Sequence, residues 1–314
     1  MSIKLENLTK YYGDQLAVNN ISFEISSGEI VGFLGPNGAG KTTTLRMITT
    51  FLSPTSGNIF VDGINAAIDP LKVRRKIGYL SEQNPLYNDM NVVDFLVYNA
   101  RLQMISEDRI KNAVDKMVNV CGLKEVKHKD IRELSKGFRQ RVGLAQAMIH
   151  DPEILLLDEP TSGLDPNQIL EIRKLIKELG RKKTLVLSTH ILQEVQAVCD
   201  RIIIIHKGEI KADAKPEDLQ KEIQGQNVIK LSLRYNKKVS TENLTSEFKS
   251  INGVESVSVR EDKQANLWEI EIKSSKSIDA REEVFKRVIK LGLEMIEMKQ
   301  VEASLEDIFR KLTN

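Results

Sequence analysis

A short apolar run that passes straight into a glycine-rich loop and then into a helix leaves a chain few ways to fold. Residues 30–44 have that order: Ile30-Val31-Gly32-Phe33-Leu34, then Gly35-Pro36-Asn37-Gly38-Ala39-Gly40-Lys41-Thr42-Thr43-Thr44, with the apolar residues Leu45, Ile48, Phe51 and Leu52 at helical steps beyond. Gly35, Gly38 and Gly40 allow the backbone to curl so that successive N–H groups point inward at phosphate oxygens. The helix starting near Lys41 adds its positive dipole end. Lys41 can reach β- and γ-phosphates as a point charge, and the Thr42 hydroxyl can ligate Mg²⁺. A glycine-rich turn that holds nothing is the bland alternative, and the correctly placed strand and helix weigh against it. The stretch reads as a nucleotide site.

At 314 residues the chain can hold one large domain and a small one, each with its own core. The near balance of 46 basic and 44 acidic residues gives a net charge of +2, which asks for neither nucleic acid nor an acidic surface as partner. Cys121 and Cys199 show neither metal spacing nor a disulfide framework and read as reduced core residues. The N-terminus lacks the apolar stretch of a signal peptide, and no run approaches the ~20 apolar residues that span a bilayer. The expectation is a cytoplasmic protein whose membrane role, if any, comes through a partner.

Residues 3–25 alternate apolar and polar positions around Tyr11-Tyr12-Gly13-Asp14, as an antiparallel hairpin would. Strands are expected at 58–62, 76–80, 153–157, 184–188 and 201–205, the last closing a hairpin through His206 and Gly208 to Ile210. Helices are expected over 92–123, 137–150 and 191–198. Another is expected after Asp165-Pro166, with Asp165 as cap, Ile169, Ile172, Leu175, Ile176 and Leu179 facing inward, and Gly180 at its end. Alternating strands and helices imply an α/β fold with a parallel sheet core, antiparallel strands to one side and a helical subdomain. After about residue 225 the strands become more charged. The order β-α-β-β-α-β over 228–299 suits a small α+β domain of split β-α-β type, and a last helix is expected over 304–312. The domains are placed at 1–220 and 225–314, with a linker at 214–225.

Phosphate binding alone does not hydrolyse anything. The second element is Ile154-Leu155-Leu156-Leu157-Asp158-Glu159, an apolar strand ending in two carboxylates. Asp158 can hold Mg²⁺, and Glu159 stands where a base could polarise an attacking water. With these residues in place, the chain resembles the ATPase subunit of ATP-binding-cassette (ABC) transporters, a branch of the P-loop NTPases, over residues 1–220. Leu134-Ser135-Lys136-Gly137-Phe138 resembles that family's Leu-Ser-Gly-Gly-Gln signature and precedes a helix, so Ser135 and Gly137 could meet phosphate. The resemblance implies ATP and Mg²⁺ as cofactors and a composite site, in which the signature of one copy covers the ATP held by the other. It also implies that Tyr12 stacks on adenine, Asp165 communicates across the dimer, and His190 in Ser188-Thr189-His190 contacts the γ-phosphate. Integral membrane permease subunits are the implied partners, with the chain peripheral on the inner face of the membrane.

The chain departs from the family pattern in three places. Lys136 and Phe138 stand where the signature has a glycine and its glutamine. At the glutamine loop, Ile77-Gly78-Tyr79-Leu80-Ser81 leads to Glu82, with Gln83 following. A carboxylate binds Mg²⁺ more strongly than an amide but cannot donate a hydrogen bond. The loop's role in catalysis and metal binding therefore falls to the pair Glu82 and Gln83, with the active member open. A single nucleotide domain followed by a small domain ending Ala303-Ser304-Leu305-Glu306-Asp307-Ile308-Phe309 resembles exporter ATPases of the drug, polysaccharide and daunorubicin-resistance type. Residues 77–87 and 134–145 are most similar to the gliding-motility-associated ATPases of Bacteroidetes.

Three other readings compete. Ribosome-acting relatives carry two cassettes, and chromosome-organising ones insert long coiled coils; this chain has one phosphate loop and no heptad array. A binding module that has lost catalysis would not retain Lys41, Thr42, Asp158, Glu159 and His190 together. An importer ATPase is disfavoured by the terminal domain.

Overall fold

The computed structural model describes residues 2–223, 226–235, 239–262, 265–275, 279–301, 309 and 312–313. The chain divides into two units, residues 1–215 and 216–312.

In the first unit, β1 (Ile3–Tyr12) and β2 (Gln15–Ile25) form the expected hairpin, with Tyr12 opposite Gln15. Then follow β3 (Ile30–Leu34), α1 (Lys41–Ile48), β4 (Ser56–Val61), β5 (Ile64–Asn65), α2 (Pro70–Lys76) and β6 (Ile77–Leu80). The helical part comprises α3 (Val92–Leu102), α4 (Glu107–Val120), a single 3₁₀ turn at Ile131–Glu133 and α5 (Lys136–Met148). The unit closes with β7 (Ile154–Asp158), α6 (Pro166–Gly180), β8 (Thr184–Thr189), α7 (Leu192–Val198), β9 (Arg201–His206) and β10 (Glu209–Ala214).

β3, β7 and β8 are buried along their whole length, as apolar runs covered on both faces must be. They lie in a six-stranded sheet of order β10-β9-β3-β8-β7-β6, parallel throughout except for β10. A second, antiparallel sheet has the order β2-β1-β4-β5. The two share one core, in which Phe23 of β2 meets Phe33 of β3 at 5.8 Å between ring centroids. Each such buried side chain contributes about 1.5–3 kcal/mol. Because β3, β6, β7 and β8 run in parallel, the loops that follow them leave from one edge of the sheet. Those loops lead into Lys41 at the start of α1 and carry Glu82, Glu159 and His190.

The helical stretch expected over 92–123 is broken into α3 and α4. Met104 takes a left-handed φ of 59°, and Ser106 starts the new helix with Glu107 and Asp108 in its first turn, where the helix dipole favours them. α2, for which no helix was expected, is capped by the Asp69 carboxylate on Lys72 N, with Pro70 at its first position. Ile172, Leu175 and Ile176 of α6 are buried as expected, whereas Ile169 and Leu179 are only half-buried. Cys121 and Cys199 are buried and free, and burial pushes both thiols up, Cys121 to about 12.

In the second unit, α8 (Pro216–Ile223) occupies most of the stretch read as a linker. Pro216 at its start and Glu217 and Asp218 in its first turn are good helix openers. β11 (Gln226–Arg234), α9 (Thr241–Lys249), β12 (Val254–Asp262), β13 (Leu267–Ser275), α10 (Arg281–Lys290) and β14 (Met295–Val301) follow in the β-α-β-β-α-β order. Their antiparallel sheet has the order β12-β13-β11-β14. Trp268, Ile270 and Leu231 of the sheet pack with Phe248 of α9 and Val284 of α10. The helix expected at 304–312 falls almost wholly outside the described residues. Among the described residues no helix is long and apolar enough to cross a membrane.

Candidate functional site

The phosphate loop is fixed by close approaches that only glycine permits. A Cβ on Gly35 would lie 2.3 Å from the Ile205 carbonyl oxygen. Gly40 has φ +108°, and its Cβ would lie 2.6 Å from Ala17 O. Hydrogen bonds from Gly208 N to Ala39 O (3.0 Å), Ala39 N to Pro36 O (3.1 Å) and Gly35 N to Thr189 O (3.3 Å) tie the loop to its neighbours. Lys41 begins α1 and is 6% exposed. Its Nζ donates to Gly35 O at 2.8 Å and Pro36 O at 3.2 Å, and it pairs with Glu159 Oε1 at 3.4 Å. A cavity of about 390 Å³ opens over the loop, lined among others by Tyr12, Asn37, Gly38, Thr42, Thr43, Glu82 and Glu159. Tyr12 is half-exposed at the end of β1, with Lys10 Nζ 5.6 Å from its ring centroid.

β7 ends in Asp158, fully buried, and the register that pairs it with Ser188 of β8 explains its contacts. Asp158 Oδ1 accepts from Ser188 Oγ at 2.5 Å, and Oδ2 accepts from the Tyr79 hydroxyl at 3.4 Å. Burial first, and then the charge of Asp158, push the Tyr79 phenol up to about 12, so it stays a donor. Glu159 has φ +48°, in the left-handed region that side chains with a Cβ disfavour by roughly 1–2 kcal/mol. Its backbone N–H is held by Ser188 O at 3.0 Å. The turn sets its carboxylate between Lys41 and His190, whose Nδ1 lies 3.0 Å from Oε2 and 3.1 Å from Oε1.

The donors are suited to Mg²⁺. Thr42 offers a hydroxyl with no hydrogen-bond partner among the described residues, and Asp158 and Glu82 offer carboxylate oxygens, all hard ligands. Among the described residues no group of three or more His, Cys, Asp or Glu forms a metal cage. Mg²⁺ requires none, since it is commonly held by one or two carboxylates and the substrate phosphates.

The structure separates Glu82 from Gln83. Both are exposed, but only Glu82 is among the residues lining the cavity. The next residue, Asn84, has φ +41° and donates from Nδ2 to Arg139 O at 3.0 Å. Its side chain fills the space where a Cβ on Gly143 of α5 would fall, 2.2 Å from Nδ2. The loop carrying Glu82 is thus seated on α5.

The signature residues do not line this cavity. Ser135 caps α5, accepting from Phe138 N at 3.4 Å, and Asp165 caps α6, accepting from Gln168 N at 2.9 Å. The two helix starts pack together: Gly137 faces the Gln168 side chain, and Lys136 lies over Gly163. Sequence reasoning missed Tyr79, Ser188, Thr161, Thr189 and Glu194. The signal for two of these was present, because Ser188 and Thr189 place hydroxyls at the end of an otherwise apolar buried strand.

The family model for ABC transporters matches residues 18–162. An uncharacterized ABC transporter ATP-binding protein of Bacillus subtilis (strain 168), YxlF, is 35% identical over 312 residues, covering 99% of both chains. A bacitracin transport ATP-binding protein of Bacillus licheniformis is 39% identical over 221 residues, 70% of this chain and 71% of that one. A dimeric structure of an ATP-binding cassette in a post-hydrolysis state, bound to ADP and Pi, superposes with a TM-score of 0.62. It is 29% identical and covers 68% of this chain and 98% of its own. The chain therefore belongs to the ABC transporter family, as an ATP-binding subunit that hydrolyses ATP and uses Mg²⁺.

Proposed function

We propose that this chain powers an exporter, with two copies closing on two ATP molecules and transmitting that closure to integral membrane permease subunits at the inner face of the membrane. The observation that carries the catalytic part is the setting of Glu159 between Lys41 and His190 at the mouth of the phosphate loop. Glu159 accepts the proton of the attacking water, and His190 holds that carboxylate in line. Lys41 exchanges the Gly35 and Pro36 carbonyls for phosphate oxygens. Asn37, Gly38, Ala39, Gly40 and Thr43 line the cradle, and Tyr12 offers its ring to the base. Thr42 and Asp158 would hold Mg²⁺, with Glu82 in the coupling position, and the metal supplies charge neutralisation at the phosphate oxygens. Ser135 and Gly137 cap the ATP of the second copy, and Asp165 links the two.

The exporter assignment rests on the second unit, which follows a single cassette, and on likeness to a bacitracin transport protein. The resemblance to gliding-motility ATPases rests on residues 77–87 and 134–145 and names no cargo. Co-purification from native detergent extracts tests the reading. An integral membrane protein that binds the chain and stimulates its ATPase is the expected result. Recovery of ribosomes or DNA in its place would favour a non-transport ATPase.

A further inference from the structure

Glu194, the third residue of α7, is 1% exposed although it carries a carboxylate. Burying such a group is costly unless its oxygens are satisfied. Its partners come from two different loops. Oε1 accepts from Thr161 Oγ1, two residues beyond Glu159, and Oε2 accepts from Thr189 Oγ1 at 2.8 Å, directly before His190. Arg173 Nη2 lies 4.0 Å from Oε1 and completes the charge balance. Thr161 and Thr189 are themselves 4% and 0% exposed. The Thr189 hydroxyl also accepts from Ile191 N at 3.1 Å, and Glu194 N donates to Ile191 O at 3.2 Å, so the turn bearing His190 is closed from both sides.

A residue serving only to cap α7 would spend its carboxylate on the free backbone N–H groups of that helix. Glu194 instead joins hydroxyls 28 residues apart in sequence, one two residues beyond Glu159 and the other directly before His190. We infer that Glu194 is a positioning residue that braces the loop after β7 against the loop after β8 and so holds His190 against Glu159. This rests on the reading of Glu159 as the base. A rigid carboxylate brace suits that task, because proton transfer is sensitive to sub-ångström placement of the base.

The test uses the full chain, labelled with ¹⁵N, in Thr161→Val, Glu194→Gln and the double variant. Thr161→Val removes one hydroxyl donor while keeping the shape, and so avoids the risk that the Glu194 variant fails to fold. In Thr161→Val, kcat should fall about fivefold to tenfold, the worth of one hydrogen bond, with KM for ATP within about twofold of normal. The His190 ring-nitrogen resonances should move, since the contact with Glu159 loosens. The double variant should be no slower than Glu194→Gln, because both changes open one brace. A lowered melting temperature with unmoved His190 resonances and normal kcat would reduce Glu194 to a structural role and overturn the inference, as would multiplicative losses in the double variant. Normal hydrolysis by Glu159→Gln is a separate failure: it removes the base, while the His190 resonances still report on the brace.

Discussion

Lys41 Nζ and Glu159 Oε1 lie 3.4 Å apart at the mouth of the phosphate loop, and both side chains are more than nine-tenths buried. The ammonium has two carbonyl acceptors, Gly35 O and Pro36 O, and one counter-ion, the Glu159 carboxylate. The cation that is to meet phosphate is thus kept in place by weaker anions and dipoles, which a triphosphate can displace.

Replacing Lys41 with Met should reduce hydrolysis by about 10²- to 10³-fold, as losing one preorganised donor does elsewhere. It should also destabilise the protein, because Glu159 loses one of its two partners and the two carbonyls lose the ammonium. The same change on a Glu159→Gln background should cost less, by about 1 kcal/mol in urea unfolding. Additive losses would mean that the pair does not form in solution.

At the glutamine loop, only Glu82 lines the cavity. Glu82→Ala should therefore weaken Mg²⁺-dependent turnover and stimulation by the membrane partner more than Gln83→Ala does, and titration with Mn²⁺ should show weaker metal binding. The opposite ranking would assign the role to Gln83. Because Asn84 seats this loop in the notch at Gly143, Gly143→Ala should mimic part of the Glu82 defect, and Asn84→Gly should relieve it.

Patterns that repeat along the chain were legible without coordinates. The apolar runs 30–34 and 154–157, each ending in a turn, read as buried strands, and the glycine spacing of 35–40, set between a strand and a helix, read as a cradle rather than an idle turn. The cap of α6 at Asp165 was readable for the same local reason. Contacts set by sheet register were not. Nothing in the sequence brings Tyr79 to Asp158, since that requires β6 beside β7, or Ser188 to Asp158, since that requires β7 beside β8. The left-handed turn at Glu159 was equally hidden, because glutamate gives no local sign of it. The break between α3 and α4 was missed because apolar periodicity resumes after Ser106 in nearly the same phase.

Asp151 offers a pH-dependent check on the first unit. Its carboxylate pairs with Lys183 Nζ at 2.8 Å and Lys116 Nζ at 3.0 Å. Those bonds, Lys183 first, lower its pKa from 3.8. A depressed carboxylate stabilises the fold above its unfolded pKa and loses that contribution as pH falls through the folded value. Asp151→Asn keeps the left-handed backbone, φ +54°, that asparagine tolerates, so it isolates the charge. The variant should be less stable by about 0.5 kcal/mol at neutral pH, allowing for solvent screening. In urea unfolding that difference should close as pH drops below 3.8. A difference that persists in acid would point to the loss of something other than charge.

The strongest test of the mechanism joins Glu159 to Ser135, which the single chain keeps apart: Glu159 lines the cavity over the phosphate loop, and Ser135 caps α5 outside it. Glu159→Gln removes the negative charge and keeps the shape. Nucleotide and metal should still bind, and hydrolysis should fall by about 10²- to 10⁴-fold, as expected for a lost general base. Repulsion between Glu159 and the γ-phosphate is removed as well. ATP held between the loop of one copy and Ser135 of the other then stabilises the closed pair by mass action. Light scattering of the Glu159→Gln protein with ATP and Mg²⁺ should therefore show a dimer. Adding Ser135→Arg places a long side chain in the shared face and should return the protein to monomer, with ATP still bound at Lys41. Because Ser135 also caps α5, that change should cost about 1 kcal/mol of stability, and a melting curve separates this cost from loss of the dimer. If the Glu159→Gln protein binds ATP yet stays monomeric even beside its membrane partner, the two halves of the site do not meet across copies, and the composite reading fails.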